Sequence, residues 1–123
     1  LFCRNGLKWF SKIPARKTLA ALRAIETQRS ILARGRPVSD SAKRLAHELD
    51  LAARMAAQSC YYLLWQQAVA AEKISESKRL ARQGIKELKK LKKDFNDYWP
   101  SRNKGTTKHS TPFLQWRIDD YSK

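Results

Sequence analysis

Cysteine is scarce in this 123-residue chain: Cys3 and Cys60 stand far apart in sequence. Two such residues make no disulfide framework, and neither has the spaced Cys or His companions of a zinc site, so no metal site is expected. Cys60 falls inside an apolar run and reads as a small core residue. The two histidines, His47 and His109, have no evident partner and read as solvated. Glycine and proline number only four each. The long stretches between them are rich in Ala, Leu, Lys, Arg, Gln and Glu, the strongest helix formers. No apolar signal segment opens the chain, which begins with Leu rather than Met, so it is expected to be a piece of a longer polypeptide. Length allows one domain with a modest core and excludes a catalytic barrel or a doubly wound sheet.

Acidic residues are also few, 11 against 26 Lys and Arg, for a net charge of +15. A field of that size attracts polyanions, which concerns association rather than fold. The charge is uneven. Residues 1–36 carry nine bases and one acid, residues 37–72 three bases and four acids, and residues 73–123 fourteen bases and six acids. A neutral middle is thus flanked by two cationic segments of +8 each.

Three helices follow from periodicity and breakers. Residues 1–14 form an aromatic lead-in ending at Pro14, which suits a first helical turn. The first helix is expected over about 15–33, with Leu19, Leu22, Ile25 and Leu32 along one face. "RGRPVSDS" then stops it: Gly35 as a C-cap, Pro37 as a breaker, and Ser39, Asp40 or Ser41 as the next N-cap. The second helix is expected over about 41–72, roughly 48 Å long. Between Leu51 and Ala71 its only formal charge is Arg54. Three apolar stripes run along it: Leu45, Leu49, Ala52, Ala56 and Leu63; Leu51, Met55, Tyr62, Trp65 and Val69; Cys60, Leu64 and Ala68. Such a helix is expected to be buried on most sides. It does not read as a membrane span, because Arg54, Gln58, Gln66 and Gln67 are costly at membrane depth. The third helix is expected to start near Ser75 or Ser77 as cap and to reach Tyr98. Leu80, Ile85, Leu88, Leu91, Phe95 and Tyr98 form its apolar stripe, and Gly84 marks a close helix approach. Residues 99–123 read as a loop and a C-terminal docking tail, in which Phe113, Leu114, Trp116 and Ile118 dock. The expected fold is all-α, a three-helix up-down-up antiparallel bundle (residues 15–98) with a long central helix and that short docking segment.

Chemistry is hard to place on these residues. Asp119 and Asp120 adjoin without a cleft, and Asp94 and Asp97 share a helix face among lysines, where ion pairing is expected. There is no phosphate-cradling glycine loop, nucleophile elbow or metal constellation, so neither a catalytic residue nor a cofactor is assigned and the chain is not expected to be an enzyme by itself. Trp65, Tyr61, Tyr62, Phe95, Tyr98 and Phe113 are expected in the core; Trp99 and Trp116 are the two aromatics left for other work. One binding surface is readable: Arg16, Lys17 and Arg23 on the first helix with Lys78, Arg82, Lys86, Lys89, Lys90 and Lys93 on the third, a set suited to a nucleic-acid backbone in RNA or DNA.

The stretch "FNDYWPSRNKG" adds a resemblance. A long Ala/Leu helix ("LDLAARMAAQSCYYLLW"), a turn, and a helix ending in Phe95, Tyr98 and Trp99, followed by Arg102, Asn103, Lys104 and Gly105 and a final apolar segment, resembles the helical region after the catalytic barrel of bacterial family 20 glycoside hydrolases, the β-N-acetylhexosaminidases. In that family the catalytic Asp-Glu pair lies in the barrel, so the resemblance carries no catalytic residue to this chain. It implies a non-catalytic accessory module, with a parent domain upstream as partner and Trp99, Arg102, Asn103 and Gly105 as a structural clasp.

Overall fold

A computed structural model describes Phe10 and residues 12–103 and 112–122 of the chain. The described residues form four α-helices and no strand: α1 (Ala15–Arg34), α2 (Asp40–Ala70), α3 (Ile74–Tyr98), a 3-10 turn (Trp99–Ser101), and α4 (Phe113–Tyr121). The helical reading therefore holds, with one helix more than periodicity led us to expect. No helix among the described residues is long and apolar enough to cross a membrane.

The boundaries follow local chemistry. Pro14 precedes α1, and Gly35 ends it by donating its N–H to the Leu32 carbonyl, in extended rather than left-handed geometry. Ser39 caps α2 by accepting the Ala42 N–H at 3.2 Å. Neither Ser75 nor Ser77 caps α3. Instead the chain reverses at Glu72, which adopts φ 55°, and the Ser77 hydroxyl donates to the Ile74 carbonyl.

Contacts fix the order of packing. Gln67 donates to the Ile13 carbonyl at 2.9 Å and Arg29 reaches Asp50 at 2.8 Å, tying α1 to α2. Arg54 reaches Asp94 at 2.5 Å, and Leu64 and Ala68 pack on Leu80, tying α2 to α3. Lys92 donates to Gln115 at 2.6 Å, and Tyr121 meets Gly84, tying α3 to α4.

The main core lies between α2, α3 and α4: Leu51, Leu88, Leu91, Leu114, Ile118 and Tyr121 are buried, with Met55, Tyr62, Trp65, Phe95, Tyr98 and Phe113 packed around them. Each such leucine contributes about 1.5–3 kcal/mol of transfer free energy. The stripe on α3 is as expected. The tail docks as a helix: Leu114, Ile118 and Tyr121 recur at i, i+4 and i+7 and point inward, while Trp116, expected to dock with them, is exposed.

Two expectations fail. On α1, Leu19 is exposed and Thr18 is buried beside Leu22, because the face towards α2 follows 18, 22 and 25 rather than 19. On α2, Leu45 and Leu49 are about half exposed, at 54% and 50%, and Ala52 and Ala56 are exposed with them. The first stripe is therefore open: the neighbours packed on α2 leave one side of its circumference bare.

Candidate functional site

The cationic face of α3 is an extended polar surface. Lys78, Arg82, Lys86, Lys89, Lys90 and Lys93 share one side of the helix and are all exposed. Arg79, a member of the same basic run in the sequence though not of the proposed binding set, is exposed between them. From Lys78 to Lys93 the face runs about 22 Å. Lys93 pairs with Asp97 at 2.6 Å and Lys90 with Glu87 at 3.7 Å; the Asp97 bond pushes the Lys93 ammonium pKa up. Among the described residues Lys78, Arg79, Arg82, Lys86 and Lys89 form no ion pair. Lys92, in the same run, turns aside to Gln115.

Arg16, Lys17 and Arg23 are exposed on α1. That helix packs chiefly on α2, not on α3, so the structure does not gather them with the α3 set. Lys17 faces a groove between α1 and α2 of about 290 Å3, walled by Phe10, Ile13, Thr18, Cys60 and Leu63. The Thr18 hydroxyl at its wall is buried without a partner among the described residues. Burial pushes the Cys60 thiol pKa up, away from the depressed values of reactive thiols.

Some of the acids hold helices together. Glu26, Arg29, Asp50, Arg54 and Asp94 form a ladder across α1, α2 and α3, with contacts of 3.1, 2.8, 3.6 and 2.5 Å in that order. Arg54, the lone charge of the apolar stretch, is its centre, with a side chain only 13% exposed. Beside it lies a polar cavity of about 240 Å3, lined by Gln58, Tyr61, Gln83 and Glu87 as well as Arg29 and Arg54. Burial and then the charges of Glu26 and Glu87 push the Tyr61 hydroxyl pKa up. Gln58 is buried, with its amide oxygen unpaired among the described residues. On α4, Asp119 accepts from Gln115 and Asp120 from Tyr62.

The corner after α3 is a second tie. Arg102 donates through Nε to Glu48 on α2 at 2.7 Å and lies 3.2 Å from the Tyr98 hydroxyl, which also donates to Glu48. The Arg102 bond first, then that of Tyr98, holds the Glu48 carboxyl below the usual glutamate range. Asn103 and Arg102 both donate backbone N–H groups to the Trp99 carbonyl. The Trp99 ring packs on Phe95 at 5.4 Å between centroids. Trp116 is exposed but has a contact of its own. His47, exposed as expected, stacks on Tyr98 at 5.2 Å. Gly105 and His109 lie outside the described residues.

Among the described residues no three His, Cys, Asp or Glu side chains converge as a metal site would require. Compared with known proteins, the chain matches no protein family, no curated protein and no solved structure.

Proposed function

We propose that this chain is a non-catalytic helical module that works by association, an accessory part of a larger glycoside-hydrolase-like protein. The observation that carries this reading is the apolar surface left open on α1 and α2, where Leu19, Ile31, Leu45 and Leu49 are each at least 43% exposed. An open apolar face such as that of Leu45 and Leu49, one turn apart on α2, marks an association site. In this reading the helices run antiparallel, up-down-up, which the successive ties of α1 to α2, α2 to α3 and α3 to α4 support. The Arg102–Glu48 tie supports reading Arg102 as a clasp between the end of α3 and α2, with Asn103 closing the turn onto the Trp99 carbonyl. Hydroxyl-radical footprinting of the isolated chain, compared with the longer polypeptide of its reading frame, tests this. Leu19, Leu45 and Leu49 should lose reactivity in the longer form; equal reactivity in both would refute the reading.

A second reading is favoured by the α3 face alone. Five cations there have no ion-pair partner among the described residues and lie along one side of the helix, an arrangement suited to the phosphates of RNA or DNA without sequence preference. Binding to mixed-sequence nucleic acid that weakens linearly in log–log form with salt would support it, and salt-independent binding or none would dismiss it.

A further inference from the structure

Where α1, α2 and α3 meet, the cavity of about 240 Å3 beside Arg54 is walled chiefly by polar side chains, although the buried positions of a helical bundle are mostly apolar. It shares no residue with the open α2 stripe or with the α3 cationic set, so a ligand here is independent of both functions proposed above. Glu26 and Arg29 come from α1, Arg54, Gln58 and Tyr61 from α2, and Gln83 and Glu87 from α3. Glu26 and Glu87 sit nearer solvent than Arg54 and Gln58. Gln58 is only 7% exposed, and its amide oxygen has no partner among the described residues. A buried amide left unmet is costly, and a bound molecule that donates a hydrogen bond removes that cost.

Charge narrows the class of molecule. The walls hold two acids, Glu26 and Glu87, and two bases, Arg29 and Arg54. Arg29 is already bonded to Asp50 and Glu26, and Arg54 to Asp94 and Asp50, so neither guanidinium is left uncompensated for an anion. About Tyr61 the charges of Glu26 and Glu87 are opposed by those of Arg29 and Arg79, which leaves a cation little advantage. What the walls offer is a mixture of hydrogen-bonding groups. The arginines donate, Glu26 and Glu87 accept, and the amides of Gln58 and Gln83 and the Tyr61 hydroxyl do both. Ligand hydroxyls, each donor and acceptor at one atom, match that mixture wherever they fall. The Tyr61 ring, with Ala57 and Leu91, supplies an apolar wall for a carbon skeleton. In volume the cavity lies just below the roughly 300–1,000 Å3 of clefts that take drug-sized ligands. We infer that this cavity binds a small neutral polyol, the size of a single sugar ring or a six-carbon chain.

Titration of the 15N-labelled full chain with D-glucose, and separately with sorbitol, followed by two-dimensional NMR of backbone and side-chain amides, tests the inference. At least one of the two should bind saturably, with a dissociation constant in the millimolar range expected of about twelve non-hydrogen atoms. The largest shifts should fall on the side-chain amides of Gln58 and Gln83. Tyr61→Phe keeps the ring, removes the hydroxyl and should weaken binding about tenfold. Gln58→Met fills the same space without the amide and should weaken it at least about tenfold, with helical circular dichroism unchanged. Methylammonium chloride and sodium acetate should give no saturable shift at these amides. Absence of a saturable shift with either polyol overturns the inference and leaves the cavity to water alone. Binding indifferent to both Tyr61→Phe and Gln58→Met overturns it by placing the polyol elsewhere. Saturation of these amides by methylammonium or acetate in place of a polyol overturns it by making the ligand an ion.

Discussion

At Gly84 a methyl group would sit 2.5 Å from Cζ of Tyr121 and 2.7 Å from its hydroxyl oxygen, so the approach of α4 to α3 depends on a missing side chain. By intrinsic propensity Gly84→Ala would stabilise the helix by about 1 kcal/mol. The overlap opposes this with a strain of about 1–3 kcal/mol. We expect net destabilisation in urea denaturation, partly relieved when Tyr121→Ala is added; additive effects would show that the two do not touch. The Tyr121 hydroxyl is buried with no partner among the described residues, and burial pushes its pKa up. Tyr121→Phe removes an unpaired polar atom and keeps the ring, so it should be neutral or stabilising by up to about 1 kcal/mol. A clear loss of stability would reveal an unseen partner. Of these two residues, only Gly84 was legible from the sequence, as an odd glycine within a helix; that Tyr121 is what it admits depends on where α4 lands.

Elements are held by few but well-placed polar ties. Arg54 touches both Asp50 and Asp94, and its side chain is largely buried. Arg54→Ala leaves the two carboxylates without their shared cation, and destabilisation of about 1–3 kcal/mol is expected in the same denaturation assay. The clasp makes a pH-dependent contribution. Because Arg102 and Tyr98 hold the Glu48 carboxyl below its ordinary value, its stabilisation is complete above the usual glutamate range and is lost as pH falls through the lowered value. The melting temperature of the wild type should therefore drop towards that of Glu48→Gln between neutral pH and about pH 3. A constant gap between the two would rule out the linkage. Helix positions, the Ser39 cap and the Gly35 stop were readable as local signals. The pairing of Arg54 with Asp94 and of Glu48 with Tyr98 and Arg102 was not, since these partners lie 40 or more residues away in sequence.

For the whole molecule, the distribution of charge matters more than its sum. If the α3 face binds nucleic acid, replacing Lys78, Arg82, Lys86 and Lys89 by Gln should lower the salt slope by about three, at roughly 0.7–0.9 per phosphate contact. The same change at Arg16, Lys17 and Arg23 should leave it nearly intact, because α1 packs on α2 rather than beside α3. Fluorescence anisotropy over a salt series measures both; equal losses would mean one diffuse cationic field rather than a face.

The amino-acid sequence alone determined the helical class, the strongest amphipathic face on α3 and the imbalance of charge, because each is set by residues within a few turns of one another. Tertiary structure decided the rest. Periodicity shows which residues share a side of α2 but not how many neighbours arrive to cover it, so a stripe expected inside remains open at Leu45 and Leu49. It likewise gives the tail an apolar side without showing that the tail is a helix whose Tyr121 completes the core.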